Sequence, residues 1–125
     1  QTSSSPYNSI SPHYINIFNQ RQSSKFMTTE PKISAGSFDL NKFLFGGYET
    51  DIITTLYGPG GSGKSNFCII LATSQARKGN KVIFIDTEGG FSVDRFKQVH
   101  QGTREEIERD LQNILLLKPM LLKLK

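Results

Sequence analysis

An eight-residue run near the middle of the chain, GPGGSGKS at residues 58–65, restricts the possible folds more than any other segment. It fits the pattern G-x-x-x-x-G-K-[ST], in which bare glycine backbone lets successive N–H groups surround phosphate oxygens. In this pattern Lys64 reaches the β- and γ-phosphates, and the Ser65 hydroxyl ligates magnesium. The run therefore predicts a nucleoside triphosphate site, whose phosphate-binding residues would be Gly58, Pro59, Gly60, Gly61, Ser62, Gly63, Lys64 and Ser65.

The segments on either side of this run have the strand and helix patterns that the motif requires. Residues 52–57 are β-branched or apolar and predict a strand, and residues 65–78 contain no Gly or Pro and predict a helix. Residues 81–86 include four consecutive apolar side chains, which is typical of a parallel strand buried on both faces. Strand, helix and strand together predict a right-handed βαβ unit.

The rest of the chain predicts three further helices and a third strand. The helices should follow N-caps at Ser37 or Asp39, at Ser92, and at Thr103, which begins a capping box. Residues 114–117 are apolar and predict the strand. The predicted fold class is α/β, with a parallel sheet and flanking helices.

Composition excludes several classes of protein. The 125 residues allow at most one domain, and no apolar run approaches the ~18 residues that cross a bilayer. Cys68 is the single cysteine, so we expect no disulfide within the chain, a buried hydrophobic role for this residue, and a cytoplasmic setting. The net charge of +4 comes from scattered lysines and arginines, so charge alone does not predict DNA binding.

Both ends of the chain differ from its middle. Residues 1–31 are predicted to be a disordered or extraneous tail with no packed element, and we expect Met27 to be the true initiator. Residues 32–125 are predicted to be the N-terminal part of an ATPase domain. The apolar and basic residues 120–125 are interpreted as a truncated domain edge.

Two carboxylates, Asp86 and Glu88, follow the second predicted strand. Ligands of open α/β sheets bind at the carboxyl ends of the strands, so both residues should lie near the phosphate loop. Hydrolysis needs a group that orients or deprotonates the attacking water, and Glu88 is the favoured candidate. For Asp86 the alternatives are a magnesium ligand, a contact to an acceptor substrate, and a cap of the following turn.

The order of YGPGGSGKS and KVIFIDTEGGFSVDRF resembles the RecA superfamily of recombination ATPases. DTEGGFS followed by Asp-Arg, together with the opening KISAGSFDLNKFLFGG, resembles the archaeal RadB family, the recombinase paralogues related to RadA. The resemblance covers residues 32 to about 119. It implies a RecA-like fold, ATP and magnesium as cofactors, charge stabilisation by Lys64, and activation of water by Glu88.

The resemblance also implies a role in DNA repair and homologous recombination, with DNA and a RadA-type recombinase as partners and no membrane. Asp51 departs from the family, which usually has glycine before the first core strand. The family's second magnesium-site aspartate and its DNA-binding loops would lie beyond residue 125. We therefore expect a sheet truncated after about three strands, which binds ATP but hydrolyses it poorly.

Two alternative functions stay open at the level of the sequence. One is a RecA-fold signalling ATPase or kinase of the circadian-clock type, which shares the loop and often an acidic pair after the next strand. The other is a non-catalytic module in which bound nucleotide only maintains the shape of the protein.

Overall fold

A computed structural model of the chain describes residues 16–21 and 31–119. Met27 and residues 120–125, which carry two of the predictions above, lie outside the described residues. The elements are β1 (Asn16–Arg21), α1 (Phe38–Phe43), β2 (Ile52–Tyr57), α2 (Lys64–Arg77), β3 (Val82–Ile85), α3 (Val93–His100), α4 (Arg104–Leu111) and β4 (Ile114–Leu117).

Three helices begin at the caps that the sequence predicts. The hydroxyls of Ser37, Ser92 and Thr103 each accept a hydrogen bond from the backbone N–H three residues later. Glu106 completes the predicted capping box, because its carboxylate accepts from the Thr103 N–H at 3.0 Å. Each such cap typically stabilises a protein by about 1 kcal/mol.

The strands form two separate two-stranded sheets. Strands β3 and β4 pair in parallel, from Val82 opposite Ile114 to Ile85 opposite Leu117, with α3 and α4 as their connection. Strand β2 pairs with β1 instead of β3. The predicted βαβ unit of β2, α2 and β3 therefore has the right element order, but its two strands are not hydrogen-bonded neighbours.

The prediction that β3 is buried on both faces is wrong for this structure. Ile83 and Ile85 are 66% and 61% exposed, and the neighbouring Leu115 and Leu117 on β4 are exposed on the same face. The opposite face packs on helices, whereas no element among residues 16–21 and 31–119 covers this one. A continuous apolar run therefore indicates that both faces of a strand can be buried, but it does not identify the elements that pack on each face.

The core joins α2, α3 and the β3–β4 sheet. Its fully enclosed side chains are Ile69, Ala76, Phe91 and Phe96. Partly buried apolar residues from β3, α3, α4 and β4 pack around them, namely Phe84, Val99, Ile107, Leu111, Ile114 and Leu116. This packing fixes the start of α2 relative to the end of β3, the two places where the sequence predicts functional residues.

A buried polar pair connects α3 to α4. His100 and Asp110 are 1% and 3% exposed, and His100 Nε2 lies 2.7 Å from Asp110 Oδ2. The Gly102 N–H donates to His100 Nδ1, so Nε2 carries the proton that is donated to Asp110. The Arg109 guanidinium also donates to Asp110, at 2.9 Å, so the buried carboxylate is well satisfied.

Strand β1 lies within the predicted tail, so the expectation of no packed element does not hold for residues 16–21. It runs antiparallel to β2, with Asn16 opposite Tyr57 and Arg21 opposite Ile52. An edge strand such as β2 offers unpaired N–H and C=O groups to any extended segment, whatever its hydrophobic pattern. The proposed domain boundary at residue 32 stays a prediction.

The expected burial of Cys68 is also wrong, because the structure places this side chain in contact with solvent. Cys68 and Leu71 line two cavities along α2, one of about 480 Å³ beside β3 and one of about 420 Å³ beside β2. Desolvation by these apolar surroundings raises the pKa of the Cys68 thiol, which disfavours the reactive thiolate.

None of the helices in the described parts of the chain could cross a membrane, since they are too short and not apolar enough.

Candidate functional site

The phosphate-loop motif connects the end of β2 to the start of α2. Gly61 and Gly63 have φ angles of +79° and +98°, which side chains rarely adopt, and Gly63 is the N-cap of α2. A methyl group at Gly60 or Gly61 would meet no atom within 4 Å. The loop thus has glycine where its path needs it and an open side that a ligand can approach.

Lys64 is the first residue of α2, and its side chain turns back over the loop. Its Nζ donates to the carbonyl oxygens of Gly58 at 2.8 Å and Pro59 at 2.9 Å. The ammonium therefore lies at the phosphate loop itself, where a triphosphate would offer it stronger, charged acceptors.

Two hydroxyls complete the phosphate loop. Ser62 Oγ is buried and has no hydrogen-bond partner within the described residues, which a phosphate oxygen would supply. Ser65 is exposed in the first turn of α2 and free to ligate a cation. Among residues 16–21 and 31–119 no group of three His, Cys, Asp or Glu side chains could hold a metal. The Ser65 hydroxyl is an oxygen ligand of the kind that magnesium accepts.

Asp86, directly after β3, caps its own turn. Its Oδ1 accepts from the N–H groups of Glu88 at 3.2 Å, Gly89 at 2.8 Å and Gly90 at 3.0 Å, and Oδ2 accepts from Phe91 at 3.0 Å. The Phe91 N–H, followed by those of Gly90, Glu88 and Gly89, lowers the pKa of the Asp86 carboxyl, although burial acts in the opposite direction. Of the three alternatives that the sequence leaves open, the structure shows the turn cap.

The loop that carries Glu88 lies against the phosphate loop. A methyl group at Gly90 would come within 3.3 Å of Ser65 Oγ and 3.5 Å of Ser65 Cβ. The Glu88 side chain is exposed in this same loop. The structure thus brings together the two segments that the sequence selects, one with Lys64 and Ser65 and the other with Glu88.

Sequence reasoning missed one contact at this site. The Arg95 guanidinium donates to Asn66 Oδ1, next to Ser65, and also to Gln98 Oε1 at 3.0 Å. Arg95 belongs to the Asp-Arg pair of the resemblance, so the sequence marks the residue. It gives no signal for the partner, because Asn66 lies 29 residues earlier in the chain.

Comparison with known proteins assigns the family. The Rad51 family profile matches residues 28–120, which is most of the chain. The chain belongs to the Rad51 family. This membership confirms the RecA-like α/β fold class and the predicted resemblance, and it accounts for the parallel β3–β4 pair beside a phosphate-loop helix.

Among curated proteins of this family, several named DNA repair and recombination protein RadB are similar to the chain. The protein from Methanobrevibacter smithii is 40% identical over 80 residues, which covers 64% of this chain and 33% of that protein. The one from Methanothermobacter thermautotrophicus is 44% identical over 80 residues, with the same two coverages. The one from Methanocaldococcus jannaschii is 52% identical over 60 residues, covering 48% of this chain and 28% of that protein. The chain thus spans about a third of the length of the curated relatives it matches.

Proposed function

We propose that this chain is the ATP-binding part of a cytoplasmic Rad51-family protein that acts in DNA repair and homologous recombination. The observation that carries the proposal is the proximity of Gly90 to Ser65, where a methyl group on Gly90 would come within 3.3 Å of Ser65 Oγ, so that the loop of Glu88 lies beside the phosphate loop. The names of the RadB relatives support the biological role. DNA binding and cooperation with a RadA-type recombinase are part of the proposal.

The chemistry proposed for this site is hydrolysis of the bond between the β- and γ-phosphates. The N–H groups of residues 58–65 bind phosphate oxygens, and Lys64 neutralises charge on the transferring phosphoryl group. Ser65 holds magnesium, which when bound neutralises charge that develops on the phosphate oxygens. Glu88 accepts a hydrogen bond from the attacking water and orients it toward the γ-phosphate.

Binding is the stronger activity expected of this chain. The phosphate loop is complete within residues 58–65, and Lys64 already lies over it. Hydrolysis depends on a preorganised electrostatic environment, whereas Glu88 is exposed to solvent. We therefore expect ATP to bind with magnesium dependence and to turn over slowly.

Titration with a fluorescent ATP analogue and magnesium tests the binding. Lys64→Ala should weaken affinity at least tenfold, which corresponds to about 1.4 kcal/mol. Lys78→Ala is the matched control, because Lys78 is an exposed lysine at the opposite end of α2 and should leave affinity unchanged. Equal affinity of Lys64→Ala and the wild type would overturn the proposal.

Single-turnover hydrolysis, with protein in excess over ATP, tests the role of Glu88. Glu88→Gln should lower the rate constant by roughly 100-fold, within the range for loss of a general base, while ATP still binds. Glu105→Gln, an exposed glutamate in the first turn of α4, serves as the control. Equal rate constants for Glu88→Gln and the wild type would remove Glu88 from the mechanism.

A further inference from the structure

The loop that carries Glu88 is anchored at both of its ends. At one end the Asp86 N–H donates to the carbonyl oxygen of Leu117 at 2.8 Å, which ties the loop to β4. At the other end Phe91 is buried, and its ring centroid lies 5.0 Å from that of Phe84. Residues 87–90 between these anchors are exposed, so apolar packing does not dictate their path.

Hydrogen bonds to the Asp86 carboxylate determine the backbone path of this loop, which apolar packing does not. Asp86 is 8% exposed, and the four N–H groups of residues 88–91 all converge on its carboxylate. Hydrogen bonds to an ionised acceptor are roughly twice as strong as neutral ones, so together they select one backbone path. That path includes a φ of +79° at Gly89 and leads Gly90 to Ser65.

We propose that Asp86 is a positioning residue for Glu88: its carboxylate holds the backbone of residues 88–91 in the path that presents Glu88 beside the phosphate loop. The inference rests on the proposed function of Glu88 in orienting water. Asp86 touches neither nucleotide nor water in this scheme. It acts through the loop, and its loss changes where the Glu88 carboxylate stands.

Two substitutions of Asp86 remove these hydrogen bonds to different extents. Asp86→Asn keeps one oxygen, which can still accept from residues 88–90, but sets its amide N–H₂ against the Phe91 N–H. Asp86→Ala removes all four acceptor contacts. Because a displacement of about 1 Å can cost 100-fold in rate, we expect losses of roughly tenfold for Asn and roughly 100-fold for Ala.

The readouts separate positioning from a general structural role. In single-turnover hydrolysis the rate constant at saturating ATP should fall, while the half-saturating concentrations of ATP and magnesium change less than about threefold. In a Glu88→Gln background, Asp86→Asn should cause no further loss of rate, since it acts through Glu88. Amide hydrogen exchange of Gly89 and Gly90 should accelerate even without nucleotide.

Asp110→Asn is the matched control. Asp110 is the other buried aspartate of the described chain with several hydrogen bonds, and it connects α3 to α4. Its amide variant should destabilise the fold while leaving the rate constant of the folded protein and the exchange of Gly89 and Gly90 unchanged. If Asp86→Ala does not fold, the rate constant of Asp86→Asn and its amide hydrogen exchange still test whether Asp86 positions Glu88.

Three results with the variants would overturn the inference. They are equal rate constants for Asp86→Asn and Asp110→Asn, a further loss of rate in the Glu88→Gln background, and a rate restored by excess magnesium, which would make Asp86 a metal ligand. Absence of measurable turnover in the wild type would also overturn it, yet leave ATP binding intact. Equal ATP affinity of the wild type and Lys64→Ala would instead defeat the proposed function, so the two failures are distinguishable.

Discussion

Gly90 lies beside Ser65, so the loop that carries Glu88 runs next to the phosphate loop. A methyl group at position 90 would lie 3.3 Å from Ser65 Oγ, which is tighter than an ordinary van der Waals contact. Ser65 is the proposed magnesium ligand, so the position of its hydroxyl depends on a glycine 25 residues later in the chain.

We expect Gly90→Ala to weaken magnesium-dependent ATP binding by roughly three- to tenfold, up to about 1.4 kcal/mol, because the new methyl group displaces the Ser65 hydroxyl. The melting temperature should change little, since residue 90 is exposed. Glu105→Ala, a substitution of an exposed residue in the first turn of α4, is the control. Equal affinities of the two variants would show that the contact does not control the site.

Local patterns predicted most elements well. The strand at Ile52–Tyr57 and the strand at Ile114–Leu117 have the predicted bounds, and the caps at Ser92 and Thr103 begin their helices as expected. Caps and apolar runs act over a few residues, so a single segment of sequence contains the whole signal.

Pairing and burial were harder to predict. The partner of β2 and the exposure of Ile83 depend on segments far apart in the chain, and a continuous apolar run is compatible with several neighbours. At the site, the motif fixes Lys64 and Ser65 on the phosphate loop. The role of Asp86 could be decided only by seeing which N–H groups surround its carboxylate.

The buried pair of His100 and Asp110 should make stability depend on pH in acid. The hydrogen bond from Arg109, together with that from His100, lowers the pKa of the Asp110 carboxyl. The pKa of this carboxyl is about 3.9 in the unfolded chain and lower in the folded protein. The ionised carboxylate therefore contributes its full stabilisation above about pH 3.9, and this stabilisation is lost as the pH falls through the pKa of the folded protein.

We therefore expect Asp110→Asn to lower the free energy of unfolding at pH 7 by about 2–3 kcal/mol, because the variant loses hydrogen bonds to a charged acceptor. The difference from the wild type should shrink below pH 4. Urea denaturation at pH 7, 5, 4 and 3 measures it, with Asp94→Asn, an exposed aspartate in α3, as the control. A difference that is constant across this range would rule out the ionised Asp110 as its source.

Asp51 occupies a backbone conformation that favours glycine. Its φ angle is +61°, and it directly precedes β2. Aspartate tolerates the left-handed region better than most residues, so the chain can form this turn without glycine.

The stability of variants at position 51 should follow how well each residue tolerates a positive φ angle. Asp51→Gly should change the free energy of unfolding by less than about 1 kcal/mol, because relief of strain is offset by a more flexible unfolded chain. Asp51→Val should lower it by more than about 1 kcal/mol, since a β-branched residue is strongly disfavoured there. Chemical denaturation of the three proteins provides the ranking, and a Val variant as stable as the wild type would contradict the assigned conformation.

Two adjacent glycines before β2 share a strained backbone conformation but differ in how tightly they are packed. Gly46 and Gly47 both have positive φ, at +115° and +128°. A methyl group on Gly47 would lie 2.3 Å from the carbonyl oxygen of Ile33, whereas one on Gly46 would meet only the flexible Lys32 side chain at 3.5 Å. Ile33 and Tyr48 form a two-way backbone bridge at this point, with hydrogen bonds of 2.7 Å and 2.8 Å.

Both alanine variants should therefore lose stability through strained φ, but Gly47→Ala should lose more, by about 1–3 kcal/mol, the typical cost of overpacking a rigid site. The excess should appear as faster amide exchange of Ile33 and Tyr48, because the clash can be relieved only by opening their bridge. Thermal unfolding and exchange of both variants measure it. Equal destabilisation by the two alanines would mean that φ strain alone explains the glycine pair and that the bridge can shift to admit a methyl group.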